Sequence, residues 1–404
     1  MRRLLRRSPQ FRRLFLAHSV SRAGDAFNSV ALVVLVYQLT GSGVGVAGAV
    51  IVEIVPVLLF GPLAGLAADR APRGALMVSA DAFRVVVALA LAATTDSVVV
   101  AYAAAFGLSA GAVTFNPAAS SLLPEVVSED DLVVANSAMW TVAVVSQIAL
   151  APVAGLIVTT WGAGSAFAIN AATFAVSGLL LLGLRAGRTP ADVLVHGWRG
   201  VMGGIDAVRS DPLLTRLAVV QLLAALSAGA TSGLLVVLAD RWLGVGAEGF
   251  GVYLGVIGVG AAAGPMLLRR FIRTGDKRWL FGPFAVRGAV DLTLAAVSNP
   301  VVAGGALMAY GMSTSTGMVA YQSTLQSVVP AEVRGRTFAL YDVVWNGARL
   351  VSLALGGLIA DLVDVRAVYV AAGVLLFLAA GVGLTTPVGL LRRPRKDSNP
   401  RPTG

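Results

Sequence analysis

The chain has 404 residues, 57% of them hydrophobic and 13% charged, with a formal net charge of +10 and no cysteine. Soluble domains carry roughly a quarter charged residues, so this composition excludes a soluble globular protein and implies a chain that crosses a membrane many times. The basic excess would suit nucleic acid if it clustered on one soluble face, but it is spread among turns. The absence of cysteine excludes disulfides, thiolate metal sites and cysteine nucleophiles.

In chain order, the N-terminus first offers Phe11-Arg12-Arg13-Leu14-Phe15-Leu16, which has the look of a twin-arginine export signal. The following run holds His18, Arg22 and Asp25 and is too polar for a signal-peptide core, so the expectation is a basic cytoplasmic tail leading into the first span. Apolar segments then fall at 14–38, 44–67, 75–93, 98–122, 133–160, 165–184, 214–238, 250–268, 279–296, 301–327, 337–360 and 367–385. Each is long enough for a helix across a hydrocarbon layer of about 30 Å. A barrel would need alternating segments of about ten residues instead. The predicted fold is therefore all-α and integral to the membrane, with twelve transmembrane helices.

With the N-terminus inside, 25 of the 31 lysines and arginines fall on inner segments and only Arg241 and Arg366 on outer turns; Arg22, Arg84, Arg287 and Arg349 lie within spans. The positive-inside rule then puts both termini in the cytoplasm. The longest connection separates six spans from six, which predicts an N-terminal bundle over 1–184, a cytoplasmic linker over 185–213, a C-terminal bundle over 214–385 and a disordered basic tail over 386–404. Within the linker, Trp198, Val201, Met202, Ile205 and Val208 form a helical apolar stripe beside Arg199 and Arg209, the pattern of an interfacial helix. The halves echo one another: Leu122-Leu123-Pro124-Glu125-Val126-Val127 matches Val328-Val329-Pro330-Ala331-Glu332-Val333, and Gly-Leu-Ile recurs at 155–157 and 357–359. Two six-span repeats with a substrate site between them are the expected arrangement.

Gly43-Val44-Gly45-Val46-Ala47-Gly48 fits the dinucleotide fingerprint, but it opens a membrane span rather than following a strand. Its glycines are expected to let helices approach closely. Gly65-Leu66-Ala67-Ala68-Asp69-Arg70-Ala71-Pro72-Arg73, set between two apolar runs, resembles the loop 2–3 signature of the major facilitator superfamily, with Ala67 for the usual leucine and Pro72 for the second glycine. Further segments are similar to the drug and siderophore exporter branch that includes enterobactin and macrolide efflux proteins. They are Gly24-Asp25, Val36 to Ser42, Asp81-Ala82-Phe83-Arg84, Phe115-Asn116-Pro117-Ala118, Ala135-Asn136, Asp211 to Leu214 and Arg334 to Ala339. The resemblance spans almost the whole chain. It implies a cytoplasmic latch built on Asp69, Arg70 and Arg73, and it implies transport by a monomer in a bacterial cytoplasmic membrane. Ala151-Pro152-Val153-Ala154-Gly155 only weakly matches the antiporter signature, since alanine replaces both missing glycines.

Charges inside spans each cost roughly 2.5–3.5 kcal/mol at a helix centre and therefore mark function or pairing. Arg22 and Asp25 lie three apart in span 1, on one face with His18 and Ser29. Asp25 is expected to take part in proton coupling or substrate contact. Glu53 has no opposite charge within a turn of its own helix. Two readings stand for it: a proton-coupling carboxylate in an apolar setting, or a group that is wet or paired with an arginine from another span. Arg287 and Asp291, four apart in span 9, are expected to form a structural ion pair. Asp81 and Arg84 are placed at the inner gate with Arg334 and Arg336 as their counterparts. Tyr310, Thr314, Gly317 and Tyr321 recur at helical spacing and, with Asn28, Gln147, Trp345, Asn346 and Arg349, are the expected substrate cavity.

Neither His18 nor His196 sits in a metalloprotease or nucleophile-elbow motif and no Walker motif is present, so an intramembrane enzyme and an ATP-driven pump are disfavoured. No cofactor, metal or nucleic acid is called for; the partners expected are a small molecule, protons and lipid. The expected activity is export of amphiphilic small molecules by alternating access with proton antiport, the alternative being lipid movement or uncoupled facilitation on the same fold.

Overall fold

The computed structural model describes residues 2–70, 72–184, 205, 208–268, 276–329 and 331–387. Among these the regular structure is helical: α1 (Arg2–Arg7), α2 (Pro9–Thr40), α3 (Gly43–Arg70), α4 (Arg73–Ala93), α5 (Val98–Val126), α6 (Glu129–Trp161) and α7 (Ala163–Leu181) in the first half. The second half holds α8 (Pro212–Gly233), α9 (Leu235–Arg241), α10 (Gly246–Leu268), α11 (Lys277–Ala296), α12 (Pro300–Val328), α13 (Ala331–Ile359), a π turn (Ala360–Asp364) and α14 (Val365–Leu384). Twelve of these helices have 19 to 33 residues, consistent with the twelve spans read from the apolar runs. Eight stretches are long and apolar enough to cross a membrane by length and composition, the one over Leu340–Leu384 covering two helices.

The sequence marks the helix ends clearly. Ser8 caps α2, accepting from the Phe11 N–H at 3.1 Å, and Pro9 occupies the first turn, where its missing donor costs nothing. Asp211 and Asn299 do the same for α8 and α12, each followed by proline. At the other end of α2, Gly41 takes φ 59°, the left-handed conformation that stops a helix without a Cβ clash.

The packing repeats from half to half. In the first, α2 packs on α6 and α7, α3 on α5, and α4 on α5 and α7. In the second, α8 packs on α13 and α14, α10 on α12, and α11 on α12 and α14. The halves meet along two seams related in the same way, α3 on α13 and α6 on α10. These are two six-helix repeats. The linker helix expected around Trp198, Val201 and Met202 and the tail over 388–404 lie outside the described residues, while Val208 is buried against α8.

Both seams use the repeated Gly-Leu-Ile segments. A Cβ on Gly155 would stand 2.8 Å from the Cα of Gly251 on α10, and one on Gly357 would meet Ala47 and the Gly43 backbone at 3.0–3.1 Å. Gly43 and Gly48 of the glycine-rich run serve close helix approach, as its position in a span implied. Among the described residues, the hydrogen bonds that join the halves gather at the end of the bundle holding Gly41. At the opposite end, holding Pro72 and Arg73, the prominent ion pair is internal to the first half: Arg73 of α4 with Glu125 of α5.

Candidate functional site

Polar residues in the middle of α2 form a cluster with α5 and α6. Arg22 and Asp25 pair at 3.5 Å, and their side chains keep 30% and 29% of their surface exposed although both lie well inside a 32-residue helix. Arg22 also donates to Asn116 Oδ1 on α5 at 2.9 Å, which gives the Phe115-Asn116-Pro117-Ala118 segment its place in the site. One turn along α2, Ser29 accepts from exposed Gln147 of α6 at 2.7 Å. Asn28 is buried beside them, and its side-chain oxygen finds no partner in the protein.

Glu53 projects from α3, where its backbone carbonyl accepts from Ser109 at 2.5 Å. Its carboxylate lies in the field of Arg349 on α13, and of Asp25 on α2, without a direct ion pair to either. Arg349 in turn stands near Tyr310 of α12. The opposite charge acting on Glu53 thus comes from the other half rather than from its own helix. Ile54, Leu350 and Leu353 pack around this crossing and hold it.

Asp81 and Arg84 depart from expectation. They form a direct ion pair and are almost wholly buried, at 0% and 2% exposure, inside the first half. The Arg84 guanidinium is held between the rings of Phe115, 4.8 Å from its centroid, and Phe174, 4.1 Å. A group walled in by its own bundle does not meet the opposite half, so this pair is no gate in this conformation. The physical reason is depth: Arg84 stands eleven residues into α4, about 16 Å from its start at 1.5 Å per residue.

Arg287 and Asp291 also depart from expectation, because they make no direct ion pair. Arg287 is drawn to α12, where it donates to the Tyr310 hydroxyl at 3.2 Å and lies 4.9 Å from that ring's centroid. Asp291, 1% exposed, turns toward α8 and accepts from Ser227 at 3.5 Å. Of the remaining cavity candidates, Trp345, Asn346 and Arg349 are half-buried on α13, Asn346 donating to the Asp342 carbonyl at 2.9 Å. Thr314 has a buried hydroxyl without a partner. Tyr321 is a correction: it is buried and donates to the Leu217 carbonyl at 3.3 Å, so it seals α12 against α8 rather than facing open space. The side chains of Asp69, Arg70, Arg334 and Arg336 lie outside the described residues. Arg73 is buried at the start of α4 and pairs with Glu125.

Sequence reasoning missed the device at the Gly41 end. Asp361, in the π turn after α13, accepts from the Ser42 hydroxyl at 2.6 Å and from the N–H groups of Gly43 and Val44 at 2.9 Å each. It therefore caps α3 from the opposite half. Arg241 ties the corner, pairing with Asp361 at 3.0 Å and donating to the Gly41 carbonyl at 2.5 Å, while Tyr37 donates to Asp240 at 2.7 Å. Partial burial works against ionisation of Asp361, but the donors from Ser42, Val44, Gly43 and Arg241 prevail and hold its carboxyl at about 2. The available signal was Gly41-Ser42 without an acid in the first turn of α3, a helix start that lacks its own anionic cap.

The family described as transmembrane secretion effector matches residues 5–401. The chain is 24% identical over 396 residues to the uncharacterized MFS-type transporter YfiS of Bacillus subtilis (strain 168), covering 93% of this chain and 92% of that one. Among solved structures it is similar to a bacterial homologue of the iron transporter ferroportin in an inward-facing state, with TM-score 0.75 and 17% identity over 95% of this chain and 99% of the other. It is also similar to the nucleoside transporter NupG, with TM-score 0.73 and 12% identity over 95% and 100%. At such identities these two likenesses establish the fold alone.

Proposed function

We propose, from the premise that the chain belongs to the transmembrane secretion effector family of MFS-type transporters, that it exports amphiphilic small molecules by alternating access, coupled to the inward movement of protons. The positive-inside distribution orients the Arg73 end toward the cytoplasm of a bacterial cell, so the Gly41 end is outside and the present conformation is closed outward. The observation that carries this reading is the packing of α3 on α13, which sets Glu53 of one half in the field of Arg349 of the other without a direct ion pair, with the partly exposed Asp25 also acting on it. A carboxylate whose counter-charge belongs to the opposite half loses that partner when the halves rock apart. Its proton affinity then follows the conformation, which is what coupling requires.

In the same reading Asn28, Gln147, Tyr310, Thr314, Trp345 and Asn346 contribute polar contacts to the cargo, and the apolar walls hold its body. Charges of both signs at the site disfavour a purely anionic cargo, and the apolar walls favour one with an apolar body. The cycle needs no covalent chemistry from the chain, in keeping with its membership of a transporter family.

The test is proton release from purified protein in weakly buffered detergent on addition of tetraphenylphosphonium or a catecholate siderophore. Wild type is expected to release protons on binding, and Asp25→Asn or Glu53→Gln to abolish release while binding persists. Binding with no release in wild type would remove proton coupling and leave facilitation, or lipid movement tested with a lysolipid, as the function.

A further inference from the structure

The first half contains a second acidic site that the cavity does not use. Asp81 has one carboxylate oxygen on Arg84 and the other without a partner in the protein. Around it are other buried polar atoms that also lack protein partners. They are the Arg84 Nε, both side-chain atoms of Asn170, the Ser177 hydroxyl and the His18 Nδ1. Asn170 and Ser177 are 0% exposed. These groups form a column. On α2 it runs from Asn28 through Asp25 to His18, on α7 from Asn170 to Ser177, and on α4 from Arg84 to Asp81. Asn170 presses on Gly24, the neighbour of Asp25: a Cβ there would stand 2.4 Å from the Asn170 oxygen. Gly178 packs against the Asp81 Cβ at the other end of the same helix.

Arg84 stands between the two acids. It touches Asp81 directly, and its charge acts on Asp25 as well as on His18. The aromatic rings of Phe115 and Phe174 fix its guanidinium, and Gly111 leaves no room to retreat, since a Cβ there would lie 2.5 Å from the Arg84 Cγ. One guanidinium confined in this way satisfies one buried carboxylate at a time, and a second buried carboxyl beside it is stable only when protonated or otherwise paired. Besides Arg84, the charged group acting on Asp81 is Asp25 of α2, and α7 brings the Ser177 hydroxyl to it. His18 and Arg22 of α2 act around Arg84 and Asp25 instead, while Gly111 and Phe115 of α5 and Phe174 of α7 pack on Arg84.

We infer that the first half carries a buried proton relay in which Arg84 positions two carboxyls, Asp25 at the cavity and Asp81 inside the bundle, so that a proton bound at one can be exchanged with the other. Arg84 keeps its place in the aromatic box throughout. With the proton on Asp25 its charge serves Asp81; when the proton passes to Asp81, the field of Arg84 adds to that of Arg22, 3.5 Å away, in holding Asp25 ionised. Buried polar atoms without protein partners take up water. Asn170, Ser177 and His18 thereby line a hydrogen-bonded route between the acids. Arg84 is a positioning residue, and Asp81 the inner proton acceptor. The inference rests on the proton-coupled reading above and gives it a second station, contained within a single half.

The experiment is infrared difference spectroscopy of the full chain in lipid nanodiscs across a pH titration, with no cargo present. Measured in a Glu53→Gln, Asp291→Asn background, which removes the other buried carboxyl bands, the chain is expected to show two carboxylic acid bands, from Asp25 and Asp81, that titrate together. Asp81→Asn should lose one band and move the midpoint of the other by about one pH unit or more, and Asp81→Glu should restore both. Should Asp81→Asn fail to fold because Arg84 is left unpaired, the double variant Asp81→Asn with Arg84→Met removes both charges at once. The single and double variants should displace the Asp25 midpoint in opposite directions, since one frees the arginine charge toward Asp25 and the other removes it. An Asp25 band whose midpoint is the same in the background chain, Asp81→Asn and the double variant overturns the relay while leaving proton coupling at Asp25 intact. A wild-type chain with no titrating carboxyl band overturns both.

Discussion

Each half of the molecule buries an arginine and an aspartate on one helix, and the outcomes differ. In the first half Asp81 and Arg84 close on each other in an aromatic box. In the second, Arg287 and Asp291 part company, the arginine going to Tyr310 and the acid to Ser227. Helical spacing allows contact in both cases. The neighbours decide: Phe115, Phe174 and Gly111 leave Arg84 one polar partner, whereas Tyr310 offers Arg287 both a hydroxyl and a ring face. Spacing along a helix proposes an ion pair, and the surrounding helices accept or refuse it.

The largest effect that could break this comparison is at the arginines. Arg84→Gln leaves Asp81 buried and uncompensated and should cost about 3–5 kcal/mol. Arg287→Gln loses a hydrogen bond and a cation–π contact and should cost about 1–2 kcal/mol. Thermal inactivation in detergent reads both, and equal losses would mean that the boxed pair is no stronger than the separated one. Next come the glycines. Gly111→Ala drives a methyl into Arg84 and should destabilise by about 1–3 kcal/mol. Gly305→Ala, on α12 with nothing within 4 Å of its added Cβ, should stabilise by up to about 1 kcal/mol through helix propensity alone. The smallest effect is Ser227→Ala, which removes a 3.5 Å contact to Asp291 and should cost under about 1 kcal/mol.

The Gly41 end sharpens the contrast because its chemistry is exposed and shared by both halves. A carboxyl held below its ordinary value strengthens the contact it makes only while ionised. Asp361 therefore contributes fully above its usual 3.8, and its contribution fades as the pH falls through about 2. Between about pH 5 and 9 the latch should be constant. Spin labels at Gln38→Cys and Leu362→Cys, readily placed in a chain without native cysteine, should show no latch-driven change in separation over that window. Any change there must come from the buried acids. Asp361→Asn, by contrast, should loosen closure by about 1–2 kcal/mol at every pH in the window, a shift of roughly tenfold in the open population.

The fold was legible because apolar runs of span length and the asymmetry of lysine and arginine are properties of the sequence itself. The repeat was legible too, and the Gly-Leu-Ile echo turned out to mark both seams. Depth and partner choice were not. Arg84 reads as a loop-proximal charge until its distance along α4 is measured. Tyr321 shares a helical face with Tyr310, yet faces α8. Asp361 and Arg241 of the second half lie far along the chain from Gly41 to Val44 of the first, which they meet only across the interface between the halves, so no local pattern announces them.

The contact of Gly155 with Gly251 has a mechanical consequence. Bare backbone meets bare backbone there, and beside it the compact Pro152 ring rests on Gly255, so long side chains do not interlock at the joint. Such a joint resists compression but tolerates rotation, as a pivot does. The 33-residue α6 extends about 50 Å at 1.5 Å per residue, and the pivot sits near one tip. A tilt of about 8° over the long arm of roughly 39 Å sweeps the far tip through about 5 Å, one helical turn. A larger residue at either glycine would act as a wedge under the short arm and magnify its own width at the long one.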